Sequence, residues 1–186
     1  LEQVLDGIAQ AASHLLRASK VALLLVDDER HVIELARSTH LPASTVVSVP
    51  LDYDGVVARA LRDLLPLSLD GARASVDPLI SELDVQRGER ALVVPLSVGG
   101  DPLGAVVVVT QFERVLGEAD LTMLRTLSAQ AAVAVDNSRL FAEERQSREE
   151  AEALRRVAEI LVSPLDINDA LSEVLSITVQ LTGADN

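Results

Sequence analysis

The chain has 186 residues, 48% of them apolar, and a formal net charge of −13. That allows one domain with appendages and argues against nucleic acid or anionic lipid as partner, since phosphate contacts need clustered Lys and Arg. Absence of cysteine excludes disulfides, thiolate chemistry, Cys-ligated zinc and a thioether-linked chromophore, and the longest apolar run, residues 21–26, falls far short of the ~20 residues that span a bilayer.

No signal peptide is visible, and the first residue is Leu1, so the sequence reads as a piece of a longer protein. The expected location is the cytoplasm, with no direct membrane contact. Lys20 is the sole lysine, against fifteen arginines.

Leu1, Val4, Leu5, Ile8, Ala12, Leu15 and Leu16 share one helical face, and that helix should end near Ala18. Val21 to Val26 reads as a buried strand. Asp27 to Arg30 is a polar turn, and His31 to Ser38 completes a hairpin. Thr45 to Leu51 alternates as a third strand. Asp54-Gly55 opens a helix that Pro66 stops, with Asp54 as its expected N-cap. A short strand over Leu67–Leu69 follows, then irregular chain from Asp70 to Gly88 with a helical turn near Leu79–Leu83.

Ala91–Val98 and Leu103–Thr110 are strands on either side of the turn Gly99-Gly100-Asp101-Pro102. Their unbroken apolarity predicts that both sheet faces are covered. Glu118, capped from the Gly117 side, starts a helix whose periodicity runs on past Leu121 to Leu161. The predicted class is α+β: a mostly antiparallel five- or six-stranded sheet with helices over it, then a long C-terminal helix.

About forty residues of helical period exceed an ordinary globular helix of ~8–20. Leu140, Glu144, Ser147, Ala151, Leu154, Ala158 and Leu161 approximate a coiled-coil seam. The expected partner is a second copy, with Leu5, Leu140, Leu154 and Leu161 at the interface; the alternative is a single exposed helix held by intrahelical pairs such as Glu149 with Arg156. Ser163-Pro164-Leu165-Asp166 breaks the helix, and a new one starts near Asn168. Leu5, Ile8, Leu15 and Ala18 recur as Leu171, Val174, Leu181 and Ala184. Residues 1–141 are therefore read as one domain, 142–163 as a linker helix and 164–186 as the start of a second, similar domain.

Three segments resemble the GAF family of regulatory domains: Val49 to Ala60 with its Gly55, the hairpin Ala91 to Val108, and the helix Glu118 to Leu140. The resemblance covers residues 1–141 and implies a non-catalytic sensory domain. Its parent would be a bacterial signalling protein, a histidine kinase first, or a phosphatase or cyclic-dinucleotide enzyme. It places a small-molecule pocket at the Asp52-Tyr53-Asp54 turn, the helix over 55–64 and the loop 70–90. Asp52, Tyr53, Arg59, Arg62, Asp77, Arg87 and Arg90 are the polar candidates, with Arg59 and Arg62 expected to face one opening opposite Ala91–Val98. The plainer reading leaves the arginines solvated.

No cofactor is indicated. The cyclic-nucleotide pattern of the family is matched only at Asp120, which reads as a local cap. Bilin attachment lacks its cysteine, and one Tyr and two Phe offer little surface for a base or haem. His14, His31 and His40 have no metal-binding spacing, though His40 is a conceivable haem ligand. No catalytic constellation is visible, and the remaining reading is a structural dimerisation module with an empty pocket.

Overall fold

The computed structural model describes residues 1–42, 44–74, 76–111 and 116–162. The expected helix break at Ser163–Asp166 and the second domain over 164–186 lie outside the described residues. The chain divides into two compact units, Leu1–Leu140 and Phe141–Asn186.

The first unit is built on six antiparallel strands in the order β3-β2-β1-β6-β5-β4. They are β1 (Lys20–Asp27), β2 (Val32–Ser38), β3 (Ser48–Pro50), β4 (Leu67–Asp70), β5 (Glu89–Val98) and β6 (Asp101–Gln111). The third strand is shorter than expected: its ladder with β2 runs from Ser48 to Pro50, with one further bond from the Leu35 N–H to the Val47 carbonyl at 2.9 Å. β5, β6 and β1 occupy the middle of the sheet, and their side chains alternate between two cores. Ala22, Leu24, Ala91, Val93, Ala105 and Val107 pack on the face beneath α2 (Val56–Asp63). Val21, Leu23, Leu92, Val94, Val106 and Val108 pack on the other, beneath α1 (Glu2–Leu16) and the start of α5 (Glu118–Val162). Covered faces on both sides explain the apolar runs. β6 can lie close to β1 only because residue 104 is glycine: its φ is +159°, and a Cβ would sit 2.1 Å from the Leu24 carbonyl oxygen.

α1 ends at Leu16, where Arg17 turns left-handed. Leu5, expected at a dimer interface, is instead only 2% exposed in the core of its own domain. α5 begins at Glu118 as expected, and Asp120 accepts the Gly117 N–H at 3.0 Å. Leu124, Ala131, Ala132 and Val135 are its buried face; Met123, Val133 and Leu140 are exposed. Arg139 pairs with Asp28 at 2.9 Å and donates to the Val26 carbonyl, which fastens α5 to the β1–β2 turn. Further along α5 the ion pairs are Glu144–Arg148, Arg145–Glu149 and Glu152–Arg156. Each is one turn apart; the expected Glu149–Arg156 pair would have to reach across two.

The sole lysine heads β1 and is buried. Its ammonium lies 3.2 Å from Glu89 and donates to the Asp84 carbonyl. Ser19 and the Gln86 N–H complete the Glu89 shell at 2.8 and 2.9 Å. Burial alone would raise this carboxyl, but the Gln86, Ser19 and Lys20 donors outweigh it and hold it below the usual glutamate value.

Between β4 and β5 the irregular segment holds two single-turn helices, α3 (Gly71–Ala74) and α4 (Pro78–Ser81). Asp77 caps α4 by accepting from Leu79 N and Ile80 N at 3.0 and 3.3 Å. Its other oxygen accepts the first N–H of α2, from Val56, at 2.8 Å. Asp54 therefore does not cap α2: the N-cap position is Gly55, with no side-chain bond, and the cap comes from Asp77. Tyr53 closes the arrangement, donating its hydroxyl to Asp77 at 3.0 Å. Gly55 is required under the ring, since a Cβ there would fall 1.9 Å from Tyr53 and 2.6 Å from Asp77.

Two outcomes follow from these groups. Desolvation, then the Asp77 charge and hydrogen bond, raise the Tyr53 phenol far above its ordinary value of 10.0. The neutral form is favoured in the fold, so this contribution is intact below the ordinary value and declines above it. With one Tyr and no Trp in the chain, tyrosinate absorbance should rise only as alkali unfolds the protein; reversible ionisation near the ordinary value with circular dichroism unchanged would contradict the buried bond. Glu89 works in the opposite sense. Its lowered value gives stability that is complete above the ordinary 4.5 and lost as pH falls through the folded value. Glu89→Gln should flatten the acid limb of unfolding and cost about 3 kcal/mol near neutrality, because Lys20 is left buried and unpaired. An unaltered acid limb would remove Glu89 from the cause.

Candidate functional site

α2 is pressed onto the sheet over most of its circumference. Val56, Val57, Ala58, Ala60 and Leu61 are all buried. Arg59, Arg62 and Asp63 are left exposed. Two cavities flank the helix, one on each side of this narrow solvent arc.

The larger has a volume of about 420 Å³. Buried Ala58 and Leu61 form its floor with half-buried Leu51 and Pro102. His31, Asp52 and Arg62 stand exposed around it. Among the described residues no hydrogen bond or ion pair engages the Asp52 carboxylate or the Arg62 guanidinium. The topology assembles this site from three separate turns. β1 and β6 run antiparallel, with Leu25 opposite Gly104, so the turns after β1 and before β6 reach the same end of the sheet. Val32 opposite Pro50 brings the chain after β3 to the same place. His31 is left-handed, with φ 53°, and its carbonyl accepts the Leu51 N–H at 2.9 Å.

The smaller cavity, about 270 Å³, is bordered by Asp54, Arg59, Arg73 and Asp77. Arg59 and Arg62 thus face different openings, contrary to expectation: Arg62 stands beside Ala58 and Leu61, and Arg59 beside Gly55 and Val56. The strand Ala91–Val98 lines neither; Pro102 of β6 takes that place. Tyr53 and Asp77 are committed to each other and to the helix N-termini. At the N-terminus of α2 the first N–H, from Val56, is already taken by Asp77 at 2.8 Å. Arg87 is exposed in the turn before β5, and Arg90 sits on β5 opposite Asp70; neither borders either of these two cavities. Sequence reading missed His31 and Pro102, each taken only as a turn or strand end. The antiparallel pairing of the first and last strands was the signal that would have joined them.

Among the described residues no cluster of His, Asp and Glu could hold a metal ion, and no helix is long and apolar enough to cross a membrane. His14 and His40 are exposed and far apart in the chain. The site offers charge and apolar surface rather than a nucleophile with its base.

No curated protein matches the chain. Solved structures do. The GAF domain of a phosphoenolpyruvate-protein phosphotransferase from Coxiella burnetii is similar over 76% of this chain and 86% of its own, at 19% identity and a TM-score of 0.66. A GAF domain/HD domain protein from Geobacter sulfurreducens is 24% identical over 75% of this chain and 94% of its own, at 0.62. The GAF domain of a two-component sensor histidine kinase from Bacillus halodurans is 16% identical over 76% and 97%, also at 0.62. These likenesses establish the fold, and the sequence profile described as GAF domain matches residues 1–136. The chain belongs to the GAF domain family.

Proposed function

We propose that the first unit is a non-catalytic sensory domain of a cytoplasmic bacterial signalling protein, a histidine kinase in the first instance. It binds a small molecule in the cavity beside Asp52 and Arg62 and passes its state through α5 to the same helix of a second copy. The observation that carries this reading is the cavity itself. Its volume of about 420 Å³ lies within the ~300–1,000 Å³ of ligand pockets, with an apolar floor and a few convergent polar groups. The Arg62 guanidinium and the apolar floor suit a small anion with a hydrophobic body. The names of the similar structures, which include a sensor histidine kinase and a methyl-accepting chemotaxis protein, support a signalling parent.

Arg62→Ala should abolish the thermal stabilisation that a library of small apolar acids gives the parent, whereas Arg59→Ala, on the other flank, should keep it. Equal responses in both variants would take the ligand out of this cavity. If no acid binds while the chain remains dimeric, the competing reading as a ligand-free dimerisation module gains.

The dimer rests on α5. Leu140 and Leu154 are 55% and 72% exposed in the single chain, an arrangement that a second copy relieves. The side chain of Leu161 lies outside the described residues, and Leu5, being internal, is withdrawn from the interface. Sedimentation should give a dimer at micromolar concentration, weakened by Leu154→Asp with Leu161→Asp. A clean monomer for the unmodified chain would remove the second copy from the proposal.

A further inference from the structure

From the same cavity we infer that the ligand is a zwitterion of the aliphatic α-amino-acid class, an inference that rests on the sensory reading above. The cavity holds one full charge of each sign. Asp52 comes from the turn after β3 and Arg62 from the last turn of α2, and both border the same space. Both side chains are exposed, where a mutual ion pair would gain little, so each remains available to a ligand. Here no ion pair joins them within 4.0 Å, and among the described residues neither side chain has another partner. A ligand carrying a carboxylate and an ammonium on one carbon atom answers both, with the carboxylate taken by Arg62 as a planar fork and the ammonium by Asp52.

The floor sets the rest of the molecule. Ala58, Leu61, Leu51 and Pro102 present aliphatic surface with no aromatic ring, so the fitting body is a branched or straight alkyl group rather than a stacked base. His31 adds one neutral donor or acceptor at the same opening. A simple fatty acid would satisfy Arg62 and leave Asp52 facing an apolar body; an alkylamine would do the reverse.

Calorimetry on the full chain with leucine, isocaproate and isoamylamine separates the cases. These share the isobutyl side chain and differ in which charges they carry. Leucine should bind about tenfold or more tightly than either, the loss expected when one charged hydrogen bond goes unmade. Asp52→Asn should bring leucine down to the level of isocaproate without lowering the melting temperature of the free protein. If isocaproate binds the parent as well as leucine does, the zwitterion inference is overturned and the anion reading stands. If isoamylamine is tightest, or Asp52→Asn keeps the full preference, the inference is likewise overturned. Binding of none of the three overturns both it and the assignment of the cavity as an aliphatic-anion site.

Discussion

Asp77 is the group on which the α2 side of the domain depends. One carboxylate accepts from Tyr53, Val56, Leu79 and Ile80. Those donors come from the turn before α2, from α2 and from α4, three segments that share no β-ladder with one another. α4 has four residues, too few to persist as a helix on hydrogen bonds of its own. Its N-terminus and that of α2 converge on one negative charge, which relieves unpaired N–H groups at both ends. Remove the charge and each helix start is left buried without an acceptor, a cost of about 1–3 kcal/mol per group.

This fixed position of α2 decides which side chains can meet a ligand. Because Asp77 already takes the first N–H of α2 and is itself held by Tyr53, an incoming anion meets that helix end occupied by a negative charge. Its counter-charge has to come from an arginine on the exposed arc. Two arginines three residues apart border different cavities: Arg62 stands beside Ala58 and Leu61, and Arg59 beside Gly55 and Val56.

The legibility of the sequence follows the same division. Strands and long helices announced themselves through periodicity: Val106 to Val109 are buried on both sheet faces, and α5 begins where Gly117 and Glu118 said it would. The candidate site was legible only in part. Asp52 and Arg62 sit at the larger cavity as the chain segment suggested. Asp77 was singled out as a ligand contact, yet it spends its acceptors internally: the cap on Leu79 and Ile80 was readable from Asp77-Pro78, but Tyr53 and Val56 lie 24 and 21 residues away and no local pattern encodes that distance. The buried Lys20–Glu89 pair spans 69 residues and was equally silent, though a lone lysine at the head of an apolar strand was a hint. His31 and Pro102 entered the site through strand pairing, which a linear reading does not supply.

On the proposed reading, occupancy of the cavity has to be felt on the opposite face of the sheet, where α1 and α5 pack. The fold offers two short routes. Pro102 borders the cavity while its neighbour Leu103 lies in the α1–α5 core, 5% exposed, so a shift at the start of β6 moves both faces at once. The second route is the β1–β2 turn. His31 borders the cavity at one end of that turn, and Asp28 and the Val26 carbonyl hold Arg139 of α5 at the other. The Asp28–Arg139 pair by itself is worth at most about 1 kcal/mol, so it adds little to the Val26 bond and is an easy element to bias. A ligand can tilt the balance between two settings of this turn only by its differential affinity for them. The left-handed His31 is where such a difference would be felt: its backbone stands in the left-handed region at the end of this turn, and its carbonyl is tied to Leu51 in the cavity wall.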